Sequence, residues 1–450
     1  MSEAANIGPV SRADRIDVID VLRGVAILGI LHLNMPLITN VAWEVFADPR
    51  LIGWSEADQI AWIGQRVLTE GTMRGMLQLL FGAGLMLLAA KAMEPSGPVS
   101  VADVWYRRNF WLMAFGAFNA LILLFPGDIL FSYGAAAILL FPFRLLRAQW
   151  LAAIGGLFLA FTVVMGVMSY ASASHQQDLV ESAMAIEEAG GEPSEEQSAA
   201  LKKWNDKIEK RFMTPDYEKR AREHREAAAD PNPFVYIAYS SSIWGYLWAD
   251  GAIALFIVEA FFTMLIGMAL FKAGFIQGQL SSRIYWAVMI VGYAFGWGIR
   301  IMGLPAFLSF TPEPNPAQLF GGLPRLAIAL AHIAAINLLM RSAIAGALTA
   351  SLGAAGRLAF TLYLMQSFIQ TFIIAAPFAL GLFDQMNWAR VMWVSALVMT
   401  GQVVFAMWWT KRFRFGPLEW LWRSLTHWKR QPMRLEAAGS KGAFGPQATL

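Results

Sequence analysis

The chain has 450 residues, of which 57% are hydrophobic and only 15% are charged. Soluble domains carry about 25% charged residues and lack repeated apolar runs of about 20 residues. The composition therefore predicts an all-α polytopic membrane protein, since a spanning barrel would alternate apolar and polar positions. The absence of cysteine excludes disulfides, thiolate metal sites and cysteine nucleophiles. The net charge of +3 indicates no particular partner.

The first apolar segment carries polar groups where a membrane anchor usually carries none. Asp17, Asp20 and Arg23 open it, and His32 and Asn34 lie further along. Ionisable groups in a spanning helix are costly, so they usually face a wet cavity or a partner. At about 100° per residue, Arg23 and Asn34 lie about 20° apart, Asp20 is about 60° away, and His32 is nearly opposite. We expect one polar stripe of Asp20, Arg23 and Asn34, which runs inward from the cytoplasmic end.

Hydropathy predicts a bundle of about ten transmembrane helices. Their approximate bounds are 19–38, 72–92, 108–126, 129–146, 149–170, 250–272, 282–303, 323–345, 356–380 and 389–410. With this count, the basic residues near the span ends all fall on one side, which the positive-inside rule makes cytoplasmic. They are Arg12, Arg15, Lys91, Arg107, Arg108, Arg144, Arg147, Lys272, Arg283, Arg341, Arg357 and the cluster at 411–430. We therefore expect a multi-pass protein of the bacterial cytoplasmic (inner) membrane, with both termini in the cytoplasm.

The spans divide the chain into four regions. Residues 1–170 hold five spans, 171–249 form an extracytoplasmic loop, 250–425 hold the other five spans, and 426–450 form a cytoplasmic tail. The middle of the loop is rich in helix formers of both charge signs, which predicts a solvent-exposed helical hairpin or lid. Aromatic residues at 233–248 and 54–67 predict segments that rest at headgroup depth.

Signatures of soluble enzymes are missing from the sequence. No glycine-rich nucleotide loop lies between a strand and a helix, and no metal-binding motif of the HExxH or clustered-histidine type occurs. The glycines at 82, 84, 155 and 156 lie within spans, where close helix packing is their usual role. The basic residues follow the membrane rule, so the sequence predicts neither a nucleic-acid partner nor a metal cofactor.

Several stretches follow the pattern of a known family. They are the opening from Arg15 to Gly24, residues 70–84, residues 127–130, residues 356–367 and, most specifically, residues 415–423. On these stretches the chain resembles the YeiB-like family of bacterial integral membrane proteins, grouped under domain of unknown function 418. The resemblance covers nearly the whole chain apart from the extracytoplasmic loop and the last residues. It implies a membrane protein but no particular reaction.

The opening Leu22-Arg23-Gly24 also looks like that of the transmembrane acyltransferases, which include the heparan-glucosaminide acetyltransferases. This resemblance implies a helical bundle in which an acyl-CoA donor enters from the cytoplasm. The acceptor, an envelope glycan, a lipid or a small metabolite, would be met at the outer face. In the glucosaminide branch, an Asn follows the Arg at the spacing that Asn34 keeps from Arg23. The catalytic His of that branch has no counterpart, because residues 41–45 contain no histidine.

Acyl transfer to a hydroxyl needs a base for the acceptor proton and a donor that stabilises the oxyanion. Asn34 can donate a hydrogen bond, but it cannot serve as the base. The candidate bases are His32, Glu44, Asp128 and His332. The helical angle disfavours His32, which points away from the polar stripe.

Each of the other candidates has a structural alternative. His332 lies two turns after Arg325 on one face of the eighth span, but it is more often a histidine satisfied by packing between helices. Asp128 follows Pro126 and Gly127 at a span boundary, where capping of the fourth span is as good an explanation as contact with a substrate.

Binding residues follow from the same hypothesis. Arg23 and Arg74, with Asp20, are the candidate site for the phosphates of the donor, because arginine makes bidentate contacts with phosphate. Arginines that snorkel to the headgroups are the structural alternative. The candidate substrate-binding residues are Glu44, Tyr363, Gln366 and Gln370, of which the last three share one face of the ninth span. They line a polar cavity or bond to neighbouring helices.

Glu259 lies alone among apolar residues in the sixth span and must have a partner, for which Arg300 is the natural candidate. Two functions therefore remain open from the sequence. One is an acyltransferase, and the other is a transporter or lipid exporter that uses Glu259, Arg300 and His332. The lack of an internal repeat weakens the second, because many transporters are built from repeats. A structural or assembly protein is a third alternative, and the sequence leaves the oligomeric state open.

Overall fold

The computed structural model describes residues 17–89, 100–342 and 345–435. Within these ranges the chain is helical, and its one isolated β-bridge joins Phe413 to Arg434. The α-helices are α1 (Asp17–Thr39), α2 (Ala42–Ala47), α3 (Glu56–Leu68), α4 (Thr72–Ala89), α5 (Ser100–Leu121), α6 (Ile129–Leu140), α7 (Ala148–Glu188), α8 (Glu195–Glu209), α9 (Pro215–Ala229), α10 (Pro233–Ala249), α11 (Ala252–Lys272), α12 (Ser282–Met302), α13 (Leu304–Leu308), α14 (Leu323–Met340), α15 (Gly346–Arg357), α16 (Ala359–Phe368), α17 (Trp388–Thr410) and α18 (Pro417–His427).

Helices occupy nine of the ten predicted spans, and at the ninth a bent pair of helices begins at Gly346 instead of residue 356. In the described part of the chain, seven helices are long and apolar enough to cross a bilayer, and the bent pair α15–α16 makes an eighth. The shorter α6 and the partly charged α5 occupy the other two predicted positions. Arg12, Arg15, Lys91 and the ends of the predicted spans at 90–92 and 343–344 lie outside the described residues. The prediction of an all-α polytopic membrane protein is confirmed.

Helix α7 and the segment after it form the predicted hairpin. Its 41 residues span about 62 Å at 1.5 Å per residue, which is twice the hydrocarbon thickness of about 30 Å. It therefore continues through the predicted boundary at residue 170 and projects beyond the bundle. Ser194 and Gln197 cap the start of α8 reciprocally, and Thr214 caps α9 before Pro215. We call the end from which α8 and α9 project the hairpin end.

One arginine joins the hairpin to two connections between spanning helices. Arg225 of α9 donates from Nη2 to Glu44 Oε2 of α2 at 2.6 Å and from Nε to Asp384 Oδ2, ahead of α17, at 2.9 Å. Nearby, His224 stacks on Tyr239 with ring centroids 4.8 Å apart. The hairpin is therefore packed onto the segments that follow α1 and α16.

Helices α1 and α15 meet backbone to backbone through two glycines. A Cβ atom on Gly356 would lie 1.7 Å from the carbonyl oxygen of Asp20, and one on Gly24 would lie 2.0 Å from the carbonyl oxygen of Leu352. No side chain fits at either position, so small residues allow the close approach. Each glycine adjoins an arginine in the sequence, Arg23 and Arg357.

The predicted ninth span, 356–380, corresponds to α16 and its continuation, whereas α15 lies almost wholly in the stretch that was predicted as the preceding loop. Helices α15 and α16 meet at Leu358 with a bend of 74°, and a π-helical segment, Ile369–Ala375, continues α16. The break frees N–H groups at the start of α16, and Glu419 of α18 accepts from Phe360 N at 2.8 Å and from Thr361 N at 3.0 Å. A carboxylate suits the positive end of a helix. Glu419 therefore stabilises the break and holds α18 against it.

Substitution of Gly356 tests the contact between α1 and α15. We expect Gly356→Val to lower the stability in detergent by about 3 kcal/mol or more, because the added atoms must push two backbones apart. Gly353→Ala, one turn earlier on α15, is the matched control, since its Cβ would meet only the side chain of Val21 at 3.6 Å. Equal unfolding temperatures for the two variants would contradict the close contact.

Substitution of Glu419 tests the cap. We expect Glu419→Ala to cost about 2 kcal/mol, because two buried N–H groups lose a charged acceptor, and Glu419→Gln to cost less, because one acceptor oxygen remains. Glu70→Gln is the control, since its exposed ion pair with Arg66 is worth about 0–1 kcal/mol. Thermal unfolding in detergent measures all three variants, and a Glu419→Ala protein as stable as the control would refute the cap.

Candidate functional site

A cavity of about 240 Å³ lies among α1, α4, α5, α6, α15, α16 and α18. We call it the arginine cavity. On α4 its lining runs from Leu77 to Leu88, which corresponds to about 16 Å along the helix. It therefore extends through about half of the expected hydrocarbon thickness of about 30 Å.

One end of this cavity is basic. Four arginines and a histidine line it, and two carboxylates lie among them, so positive charge is in excess. The basic end is formed by Arg23, Arg108, Arg357, Arg423 and His427, with Asp20 and Glu419 as the carboxylates. It lies on the face of the bundle where α1 and α5 begin and where α18 packs.

Packing orients the arginines at the basic end. The Arg108 Cζ atom lies 3.8 Å from the ring centroid of Trp422, whose Nε1 donates to the Arg108 carbonyl oxygen at 2.8 Å. Arg23 Nη1 lies 3.3 Å from Asp20 Oδ1. Arg23 and Arg423 both lie close enough to Arg108 to repel its charge. A cluster of like charges of this kind is stabilised by an anion.

The walls between the two ends are apolar. They are formed by Ile27, Leu77, Leu80, Phe81, Leu112 and Leu130. At the inner end the lining includes the side chains of Tyr133 and Tyr363. The cavity therefore combines a cationic end, an apolar middle and an inner end that is formed in part by two tyrosines.

Asp128 lies behind Tyr363 at the inner end. The Tyr363 hydroxyl donates to Asp128 Oδ1 at 3.2 Å and accepts from Ile129 N at 3.2 Å. Asn119 Nδ2 donates to the same carboxylate oxygen at 2.7 Å, and Phe131 N donates to the other at 2.8 Å. Asp128 therefore caps α6, as the structural alternative predicted, and it also contacts a residue that lines the cavity.

Asp128 ends the connection between α5 and α6, and its side chain is buried, whereas Ile122 at the start of the connection is exposed. Burial raises the pKa of the Asp128 carboxyl group to about 7, although the hydrogen bonds from Phe131, Asn119 and Tyr363 oppose the shift. A carboxyl group with a pKa near neutrality can accept and return a proton at physiological pH. Among the four candidate bases, Asp128 is the one in contact with the lining of the arginine cavity.

The structure separates Arg74 from Arg23. Arg74 lies at the start of α4, toward the hairpin end, where its Nη2 contacts Glu259 Oε2 at 3.2 Å. The second partner of Glu259 is Arg325 of α14. The predicted pairing of Glu259 with Arg300 is therefore wrong. Arg300 instead donates to backbone carbonyl oxygens at the end of α3, among them Val67 O at 2.8 Å.

Other predicted substrate residues have structural partners. Glu44 binds Arg225 of the hairpin. Gln366 Nε2 donates to Ile27 O and to Gln402 Oε1, each at 3.0 Å, and Gln370 Nε2 donates to Gln366 O at 3.1 Å. Gln366 thus joins α16 to α1 and α17, and Gln370 joins the π-helical segment back to α16. This is the structural alternative, in which these residues bond to neighbouring helices. Asn34 is half-buried on α1 and does not line the arginine cavity.

Both candidate histidines lie away from the arginine cavity. His32 Nε2 hydrogen-bonds Thr69 Oγ1 at 2.8 Å, and His332 Nδ1 hydrogen-bonds the Tyr293 hydroxyl at 2.7 Å. His332, Arg300 and Glu259 share no hydrogen bond with one another in the described part of the chain. The residues that the transport hypothesis joins in one path therefore make separate contacts.

Sequence reasoning missed most of the basic end. Arg108, Arg357 and Arg423 were assigned only to the positive-inside pattern, although they line the same cavity as Arg23. One signal was available, because both Arg23-Gly24 and Gly356-Arg357 pair an arginine with a glycine in stretches that match the family pattern. Tyr133 carried no comparable signal.

Comparison with known proteins finds one family model and several relatives that the chain resembles. Residues 270–429 match the family described as "Protein of unknown function (DUF418)". The chain is 26% identical over 441 residues to "Uncharacterized protein YxaH" of Bacillus subtilis (strain 168), covering 95% of this chain and 98% of that protein. It is also 26% identical over 443 residues to "Uncharacterized protein YeiB" of Escherichia coli (strain K12), covering 91% and 95%.

A shorter match, 32% identical over 99 residues, is to the "Uncharacterized 39.9 kDa protein in amylase 3'region" of Bacillus acidopullulyticus, covering 22% of this chain and 28% of that protein. No solved structure matches the chain. These names state no activity, so the similarity to transmembrane acyltransferases stays a prediction. By the match over residues 270–429 and the two near full-length matches, this chain is similar to the DUF418 family and to the YeiB and YxaH proteins.

Proposed function

We propose that this protein is a membrane acyltransferase whose arginine cavity takes a phosphate-bearing thioester donor of the acyl-CoA type. One observation carries the proposal: the cavity joins four arginines at one end to the Tyr363–Asp128 pair at the other. Arginine is suited to phosphate, and a hydroxyl-linked carboxylate is suited to proton transfer. The acceptor is a hydroxyl or amine of an envelope glycan, a lipid or a small metabolite.

The size of the cavity supports a particular placement of the donor. A volume of about 240 Å³ is below the usual range of about 300–1,000 Å³ for ligand pockets. Only the thioester end of the donor would fit inside, with the nucleotide and its phosphates at the basic end. The apolar walls would contact the acyl chain and the neighbouring methylene groups.

In the proposed reaction, the acceptor oxygen or nitrogen attacks the thioester carbonyl carbon. The acceptor proton passes to the Tyr363 hydroxyl as that group gives its own proton to the Asp128 carboxylate. The C–S bond then breaks, and the proton returns by the same route to the leaving thiolate. The products are the acylated acceptor and free CoA thiol, so no metal or redox partner is required.

The proposed orientation follows from the charges. The basic end carries Arg23, Arg108, Arg357 and Arg423, and the positive-inside rule assigns such residues to the cytoplasm. The donor would then enter from the cytoplasm of a bacterium, and the hairpin would lie outside the cytoplasmic membrane. The transport alternative has weaker support, because Glu259, Arg300 and His332 share no hydrogen bond with one another in the described part of the chain.

Binding of CoA tests the basic end. We expect the purified protein to bind CoA, and Arg23→Gln and Arg423→Gln each to weaken binding by about tenfold or more, because each removes a charge-assisted contact worth about 1.5–3 kcal/mol. Arg341→Gln is the control, since Arg341 bonds Ser282 Oγ and the carbonyl oxygens of Gly278 and Leu280 away from the cavity. Calorimetry measures all four proteins. Failure of the unaltered protein to bind CoA would reject the donor.

The pH dependence of acyl transfer tests Asp128. Because the base acts as a carboxylate and burial raises its pKa to about 7, we expect the rate of CoA thiol release to rise with pH through about 7 and then level off. Asp128→Asn should lower the rate about 10²–10⁴-fold while CoA binding is retained, since Asn caps helices as well as Asp. An Asp128→Asn protein with an unchanged pH profile would remove Asp128 from the reaction.

A further inference from the structure

A buried charge cluster at the hairpin end places two guanidinium groups on one carboxylate. Glu259 of α11 accepts from Arg74 Nη2 of α4 at 3.2 Å and from Arg325 Nη1 of α14. Gln78, one turn after Arg74, donates from Nε2 to Glu259 Oε1 at 3.2 Å. Two cations on one anion leave the cluster with an excess of positive charge.

The cluster also has unused hydrogen-bonding capacity. A guanidinium group has five N–H donors, yet the contact with Glu259 is the one side-chain bond that each of these arginines makes within the described residues. Arg74 Nε and Gln78 Oε1 are buried and have no partner there. The Arg74 and Arg325 side chains remain 27% and 19% exposed, so a ligand can reach them.

The chain makes room for Arg325 with glycine. Gly71 has φ +68°, which favours glycine, and a Cβ atom there would lie 3.0 Å from Arg325 Cδ. Gly75, one turn later, faces the same side chain at 3.9 Å. The stem of Arg325 therefore lies in a groove along α4, and its guanidinium group is directed to Glu259.

The open side of the cluster borders the lipid-facing surface. Arg74 Cζ lies 4.8 Å from the ring centroid of Phe256, which is 39% exposed on α11. Arg74 and Arg325 both lie two residues after the start of their helices, or about 3 Å along the axis. The two arginines therefore lie near the ends of α4 and α14, where we expect an anionic group of a membrane amphiphile to reach them.

The cluster also adjoins the arginine cavity. The Tyr133 hydroxyl donates to the Arg74 carbonyl oxygen at 3.0 Å, and Tyr133 lines the inner end of the cavity next to Tyr363. An amphiphile anchored on the two arginines would have its neighbouring groups at that inner end. Excess positive charge within a membrane protein is costly, so an anion at this position offsets that cost.

We propose that Arg74 and Arg325, with Glu259 between them, bind the phosphate or carboxylate of an anionic amphiphile and that this amphiphile is the acyl acceptor. The assignment of the amphiphile as acceptor rests on the function proposed above, whereas the anion site does not. Glu259 keeps the two guanidinium groups together and limits their net charge, so its removal strengthens anion binding if the protein stays folded.

Lipid binding without any donor tests the site. The protein is purified in an uncharged detergent, and its unfolding temperature is measured against added phosphatidylglycerol, phosphatidylcholine or inorganic phosphate. We expect phosphatidylglycerol alone to raise the unfolding temperature. Arg74→Gln and Arg325→Gln should weaken that effect about tenfold or more in lipid concentration, and Arg341→Gln should not change it.

Glu259→Gln should strengthen lipid binding, whereas the arginine variants weaken it. This difference distinguishes a binding site from a cluster that only stabilises the fold. This variant lowers the basal unfolding temperature in both cases, but an anion site predicts that a lower concentration of phosphatidylglycerol produces half of the shift. Unchanged lipid dependence in all three cluster variants would overturn the site. If an arginine variant fails to fold, Arg74→Lys and Arg325→Lys keep the charge, and the site predicts that they retain part of the effect.

Two further outcomes separate the proposals. If inorganic phosphate raises the unfolding temperature as much as phosphatidylglycerol does, the ligand is a free anion and not an amphiphile. If the lipid dependence appears as expected while no acyl group is transferred, the acyltransferase proposal fails and the anion site stands. Acyl transfer to an uncharged acceptor, unaffected by Arg74→Gln, would instead overturn the acceptor assignment alone.

Discussion

The backbone contact between α1 and α15 is the constraint on which the site depends. Gly24 and Gly356 let the helices approach until the carbonyl oxygens of Leu352 and Asp20 occupy the places where side chains would begin. Because Arg23 and Arg357 adjoin these glycines, the contact also brings two guanidinium groups to the same cavity. The dipeptides Arg23-Gly24 and Gly356-Arg357 therefore determine both the close packing of α1 on α15 and two of the positive charges in the cavity.

The break between α15 and α16 has a similar double role. The 74° bend lies between Arg357 and Tyr363, and both residues line the arginine cavity. The bend exposes N–H groups that Glu419 satisfies, and α18 thereby supplies Arg423 to the basic end. Gly416 is part of this arrangement, because a Cβ atom there would lie 2.1 Å from Glu419 Oε2. The stretch at 415–423 is thus a cap and a cavity wall.

The sequence predicted the helices well, since apolar length and the placement of basic residues determine spans directly. It predicted the cavity in part. Arg23 and Asp20 face it as expected, but helical angles within α1 say nothing about depth, so Asn34 was wrongly expected to share it. Partners across helices were beyond such reasoning: Glu259 pairs with Arg74 and Arg325 because α4, α11 and α14 meet, which no single-helix pattern reveals.

The two ion pairs of Arg225, with Glu44 and Asp384, link distant parts of the chain. Glu44 lies in α2, which follows α1, and Asp384 lies in the connection that enters α17, so the two ion pairs of Arg225 join the chain after α1 to the chain before α17. One guanidinium group holds both carboxylates, so a change in the distance between these two connections would break one of the ion pairs. The position of the hairpin is therefore tied to the relative placement of α1 and α17.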